Sequence, residues 1–74
     1  MILNKMVEVF KTNVQMEHEC RELLKILYHT FPAFKMNFDL EDCDKILRVA
    51  GSQIQPENII EVLKSNGYHC EVLD

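Results

Sequence analysis

Three side chains that can bind a metal ion lie between residues 17 and 20: the carboxylate of Glu17, the imidazole of His18 and the thiol of Cys20. A second thiol, Cys43, and a second imidazole, His69, follow further along the chain. Cu(I) prefers two thiolates, whereas Zn(II) accepts thiolate and imidazole and usually takes four ligands. A soft-metal site would therefore combine Cys20 with Cys43 and with His18 or His69, and it would hold copper or zinc. Glu17 is a hard oxygen donor and a poor partner for Cys20 on Cu(I).

Each of these residues also has a structural interpretation. Cys20 lies on the apolar stripe of a predicted helix, where a free cysteine behaves as a small hydrophobic residue. Glu17 falls in the first turn of that helix, where the dipole favours a negative charge, and His18 falls on the polar face. Cys43 stands in an acidic turn without the basic surroundings of a reactive thiolate. We therefore expect no cofactor and keep copper or zinc binding as the alternative.

The apolar spacing of the first half of the chain predicts a strand and a helix. Residues 5–12 are rich in β-forming types and end at Asn13, a residue that commonly caps a helix. Apolar residues then recur at spacings of three and four, which is typical of one buried helix face. They are Met16, Cys20, Leu23, Leu24, Leu27 and Phe31. Pro32 predicts that this helix ends at Phe31.

The second half predicts a hairpin, a helix and a last strand. Residues 34–40 alternate between apolar and polar, and residues 45–49 return after a polar turn. Pro56 suits the first turn of a second helix, and Asn66-Gly67 is a typical helix end. Residues 68–73 form the last strand. The order is β-α-β-β-α-β, which predicts an α+β, ferredoxin-like sandwich: a four-stranded antiparallel sheet with two helices on one face.

This topology brings three connections to one end of the sheet: the first strand to the first helix, the hairpin turn, and the second helix to the last strand. We therefore expect several polar side chains to share that end. They are Glu17, His18, Cys20, Asp42, Cys43, Tyr68 and His69.

Residues 16–20, Met-Glu-His-Glu-Cys, stand between the first strand and the first helix. At that position heavy-metal-associated domains, such as copper chaperones and the N-terminal modules of metal-pumping ATPases, carry Met-x-Cys-x-x-Cys. The segment resembles this motif with Glu17 in place of the first cysteine and Cys20 in place of the second. Residues 38–40 and 67–68 resemble the family's Val-Asp-Leu and its Gly-Tyr or Gly-Phe. The resemblance implies the ferredoxin-like fold with a metal motif that has lost its CxxC.

Composition narrows the class of protein. The chain has 74 residues and is expected to be a single domain, with residues 1–5 as an extension if translation starts at Met6. The net charge of −4 without basic clusters argues against nucleic acid and anionic membranes as partners. An odd count of three cysteines, no signal-peptide pattern and no long apolar run favour the reducing cytoplasm.

The functional expectation is a non-catalytic protein-interaction domain. No arginine or glycine in residues 12–15 makes an anion cradle, and no nucleophile stands beside a base, so we expect no enzyme. If Val7 and Val9 face the helices, then Met6, Phe10 and Ile46 form an apolar patch on the open face of the sheet. Such a patch suits a protein partner or a homodimer. The alternative is a divergent soft-metal carrier or sensor using Cys20 with Cys43 or a histidine.

Overall fold

The computed structural model describes residues 6–41 and 43–73 of the chain. It contains the six elements in the predicted order. They are β1 (Met6–Thr12), α1 (Glu17–Thr30), β2 (Lys35–Asp39), β3 (Ile46–Gly51), α2 (Pro56–Ser65) and β4 (Cys70–Val72). The proposed extension at residues 1–5 lies outside the described residues, as does Asp42, one of the polar side chains expected at the shared end of the sheet.

The four strands form one antiparallel sheet in the order β2-β3-β1-β4. The buried residues of α1 and α2 share one core with the inward side chains of the sheet, so both helices cover the same face. This is the α+β, ferredoxin-like arrangement that the sequence predicts. Within residues 6–41 and 43–73, neither helix is long and apolar enough to cross a lipid bilayer.

Helix α1 begins later than predicted. Asn13 is not its N-cap: the helix starts at Glu17, and Met16 occupies the cap position. The predicted buried face is confirmed at Cys20, Leu23 and Leu27. It is wrong at Met16, which is 53% exposed because it precedes the first helical turn.

The prediction of which side of β1 faces the helices is wrong. Phe10 is fully buried in the core, whereas Val7 is 64% exposed. The register explains the reversal, because Phe10 stands opposite Leu47 on β3, which is also fully buried. Side chains alternate along a strand, so Val7 and Val9 point away from the helices.

The end of α2 follows the prediction. The amide of Gly67 donates to the carbonyl of Lys64 at 3.0 Å, and the amide of Tyr68 donates to the carbonyl of Leu63 at 3.0 Å. Gly67 has φ +90°, a left-handed conformation that glycine adopts without a steric penalty. These bonds form a Schellman motif, which turns the chain sharply from α2 into β4.

Candidate functional site

One end of the sheet contains the last residues of β1 and the first residues of β3 and β4. We call it the loop end. Thr12 at the end of β1 pairs with Cys70 at the start of β4, and Lys11 pairs with Ile46 at the start of β3. The predicted donors of a metal site fall on the elements and loops around this end. The prediction that the topology gathers these segments is therefore confirmed.

The structure does not assemble the predicted donors into a metal site. Cys20 is buried at 7% exposure, whereas His18 and Cys43 are exposed, His18 on the first turn of α1 and Cys43 on the β2–β3 turn. Among residues 6–41 and 43–73, no group of three or more histidine, cysteine, aspartate or glutamate side chains is placed to hold an ion. Cys20, Cys43 and His18 therefore do not form one ligand set.

The protonation of the buried thiols also disfavours metal binding. Burial raises the pKa of the Cys20 thiol, and the nearby carboxylates of Glu19 and Glu17 raise it further. Burial raises the pKa of Cys70 to about 12. Soft metals bind the thiolate, and a raised pKa keeps the thiol protonated. The acidic residues Glu17 and Glu19 beside Cys20 thus oppose soft-metal binding by this thiol.

A hydrogen bond that the sequence did not suggest joins α1 to the α2–β4 loop. The hydroxyl of Tyr68 donates to Glu19 Oε2 at 2.8 Å. The other carboxylate oxygen, Oε1, accepts from the backbone amide of Met16 at 3.1 Å, so Glu19 also closes the first turn of its own helix. The only sequence signal was a glutamate at the third helical position, which becomes visible once the helix start is placed at Glu17.

A second bond acts in parallel. The side-chain oxygen Oδ1 of Asn13 accepts from the backbone amide of His69 at 2.8 Å. Asn13 therefore joins the β1–α1 loop to the α2–β4 loop instead of capping the helix. The two bonds, Glu19–Tyr68 and Asn13–His69, together form what we call the loop bracket. Polar residues at the loop end thus hold the two loops together in a structural role.

The loop bracket carries coupled shifts in pKa. The hydrogen bond from Tyr68 holds the pKa of the Glu19 carboxyl below its ordinary value. The same bond raises the pKa of the Tyr68 hydroxyl above its ordinary value. Both shifts favour a charged acceptor and a protonated donor. The bond is therefore complete from mildly acidic to mildly alkaline pH.

We expect Tyr68→Phe to destabilise the fold at neutral pH but not in acid. Because the folded pKa of Glu19 is lowered, its stabilisation is complete above the unfolded pKa and is lost as the pH falls through the folded one. The difference in urea midpoint between the parent and Tyr68→Phe should therefore shrink as the pH is lowered. In a Glu19→Gln background, which keeps an acceptor but does not titrate, the effect of Tyr68→Phe should not vary with pH. A difference that stays constant into acid in the parent chain would contradict this assignment.

The predicted interaction surface is also corrected. Phe10 is fully buried in the core and Ile46 is only 2% exposed, so neither offers a contact surface. Ile46 does face away from the helices, but it lies between its cross-strand neighbours Lys11 and Asp39. Met6 is 41% exposed, but it shares the inward side of β1 with Phe10.

A different set of apolar side chains lies on the face of the sheet that neither α1 nor α2 covers, here called the open face. Val7 is 64% exposed and pairs with Ala50 on β3. Val9 is half-buried, and its carbonyl accepts from the amide of Leu73, whose side chain is 37% exposed. We call Val7, Val9, Ala50 and Leu73 the sheet patch. Sequence reasoning missed it because it placed β1 the other way round.

Charges of both signs lie beside the sheet patch, toward the loop end. Arg48, the cross-strand neighbour of Val9, lies 3.7 Å from Asp39. Lys11 lies 3.9 Å from Asp44, and His69 lies 3.5 Å from Glu71. The open face is therefore an apolar area near the start of β1 beside mixed charges near the loop end.

No known protein-family model matches the chain, and no curated protein sequence matches it significantly. The resemblance of residues 16–20 to the heavy-metal-associated motif therefore stays a prediction. The physical features that bear on function are the loop end, which structural hydrogen bonds hold closed, and the open face with its apolar patch.

Proposed function

We propose that this chain is a non-catalytic protein-interaction domain that associates with a second copy of itself through the sheet patch. The observation that carries the proposal is the exposure of Val7, at 64%, near the start of a central strand, on a sheet face that no element of the described residues covers. A central strand normally buries its apolar side chains on at least one partner layer. The neighbouring apolar residues extend this exposure into a contiguous patch, which is typical of an interaction site.

The charges on the open face support self-association. In a two-fold dimer both copies present the same patch. Each charged group on one copy must therefore face a group of opposite charge, or a neutral one, from the same surface on the other copy. Arg48 and Lys11 lie on the same face as Asp39 and Glu71, since their cross-strand pairings place them at outward positions. A two-fold rotation can therefore set basic groups against acidic ones beside the apolar area. The chain's net charge of −4 is not concentrated there.

The free cysteines favour a location in a reducing compartment, and we propose that the protein acts in the cytoplasm. Cys20 and Cys70 are buried free thiols, and Cys43 is an exposed one. A domain this small in an oxidising compartment commonly relies on disulfides for stability. Here the core is built from aliphatic and aromatic side chains around two unpaired thiols.

The test is sedimentation equilibrium of the reduced protein from about 10 µM to about 1 mM, a range that covers weak to moderate dimers. We expect a reversible monomer–dimer equilibrium that Val7→Lys weakens by at least about tenfold, because a symmetric contact places two buried lysines near each other. Ile26→Lys is the matched control: Ile26 is 38% exposed on α1, in the opposite layer. Equal weakening by both substitutions, or a monomer at every concentration, would exclude the sheet patch as a self-association site.

A further inference from the structure

A groove of about 550 Å³ runs between α1 and the edge strand β2, away from the sheet patch. Its apolar surface comes from Leu24 on α1 and from Phe38 and Leu40 on β2 and the residue after it. All three side chains are half-buried, so each packs on the core and still reaches the groove. The groove is thus formed by a helix, a strand edge and a floor of apolar side chains.

The backbone of β2 is already bonded at one point on its outer edge. The hydroxyl of Tyr28 accepts from the amide of Met36 at 2.8 Å and donates to the carbonyl of Met36 at 3.1 Å. One side chain of α1 therefore satisfies both edge groups of that residue. This protects the first half of an edge that would otherwise pair with other chains.

Among the described residues, none bonds to the second half of the same edge, which faces the groove. In an antiparallel pair the two backbone groups of a residue point to the same side, and this side alternates along the strand. Since Met36 points outward to Tyr28, Phe38 also directs its amide and carbonyl outward, into the groove. Beyond it, the carbonyl of Leu40 accepts from Lys45 Nζ at 3.2 Å. The open stretch is therefore short and centred on Phe38.

The rim of the groove is acidic. Glu17 and Glu41 are exposed there, and Arg21 is the basic residue beside them. Among the described residues, neither glutamate side chain has an ion pair, whereas the third acid, Asp39, lies 3.7 Å from Arg48 on the open face. Two unpaired carboxylates beside an apolar floor favour a ligand that combines apolar and basic side chains.

We propose that this groove binds a short extended peptide with basic side chains, which adds to the sheet beside β2. One peptide residue exchanges two backbone hydrogen bonds with Phe38. Apolar side chains of the peptide contact Leu24 and Leu40, and its lysine or arginine side chains approach Glu17 and Glu41. Backbone bonds supply affinity and the flanking side chains supply selectivity, as in other cases where a peptide extends a sheet. Tyr28 sets the boundary of the site, because it occupies the neighbouring position.

The probe is an acetylated, amidated peptide of alternating lysine and valine, titrated into the isotope-labelled protein and followed by amide chemical shifts. We expect saturable shifts at Phe38 and in α1 around Leu24. The same peptide methylated on its backbone nitrogens, and a peptide of alternating glutamate and valine, should each bind at least about fivefold more weakly. Equal binding by either control peptide, or shifts confined to other surfaces, would overturn the proposal.

Charge reversal at the rim gives a second, independent measurement. Glu17→Lys and Glu41→Lys should each weaken binding of the lysine–valine peptide by about fivefold, as expected for one partly exposed charge contact. Glu61→Lys on α2 makes the same charge change on an exposed residue outside the groove and should leave binding unchanged. Val7→Lys should also leave peptide binding unchanged, so the groove and the sheet patch succeed or fail separately. If Glu61→Lys weakened peptide binding as much as the two rim substitutions, the change in net charge would explain the effect, and the proposal would be overturned.

Discussion

Replacing Phe10 by alanine is expected to remove about 3–5 kcal/mol from the free energy of unfolding. Phe10 is fully buried at the centre of β1, opposite Leu47, and it is part of the single core shared by both helices. The cost combines the lost transfer free energy of a benzyl group with the cavity that remains. A domain of this length has roughly 4–11 kcal/mol of stability in all, so Phe10→Ala should be marginally folded or unfolded.

The matched control for Phe10→Ala is Val7→Ala, three residues earlier on the same strand but on the opposite face. Val7 is 64% exposed, and its truncation should change the free energy of unfolding by no more than about 0.5 kcal/mol. Urea unfolding followed by circular dichroism measures both variants. If Val7→Ala were the more damaging substitution, β1 would face the other way and the sheet patch would not exist.

Replacing Thr12 by valine is expected to cost about 1–3 kcal/mol of stability. Thr12 is 5% exposed. Its hydroxyl donates to the carbonyl of Lys45 at 2.6 Å and accepts from the amide of Val14 at 3.2 Å. Valine has nearly the same volume, so the substitution creates almost no cavity. It leaves the buried amide of Val14 and the partly buried carbonyl of Lys45 without this partner, and the penalty is mainly their desolvation.

The position of Thr12 enlarges this effect. Lys45 has φ +50°, a conformation that is unfavourable for a residue with a side chain, and the bond from Thr12 helps to hold it. Thr30→Val is the matched control, because the Thr30 hydroxyl donates to the carbonyl of Ile26 on an exposed helix end where water can replace it. We expect that control to stay within about 0.5 kcal/mol of the parent. Similar losses in the two variants, measured by urea unfolding, would show that the buried hydroxyl has no special role.

Local pattern was sufficient for most of the fold. The spacing of Cys20, Leu23 and Leu27 identified the buried face of α1, and Pro56 with Gly67 identified the two ends of α2. Each of these signals acts within one or two turns of the chain, where helix period and backbone preference dominate. The alternation in residues 34–40 identified the inward face of β2 for the same reason.

The sequence pattern gave the wrong prediction where two local structures suited the same residues equally well. Each side of β1 carries apolar residues, Val7 and Val9 on one and Phe10 on the other, so alternation alone does not choose the buried side. The pairing of Phe10 with Leu47 makes that choice. Asn13 is likewise a good cap by residue type, but its side chain bonds to the amide of His69 across the loop end.

The candidate site shows the same division. Sequence placed Cys20 on the apolar stripe of α1 and Cys43 in a turn, and both placements are confirmed. It did not suggest the bond between Glu19 and Tyr68, because those residues come together only when α1 and the α2–β4 loop pack at one end of the sheet.

By itself, then, the sequence determined the order of elements, the fold class and the burial of the helix faces, because these depend on periodicities that neighbouring residues share. Only the tertiary structure decided which face of β1 is open, which residues form the loop bracket and where the edge of β2 is unprotected. Those features depend on strand register and on contacts between distant segments, and a shift of one residue in register exchanges every buried side chain of a strand for an exposed one.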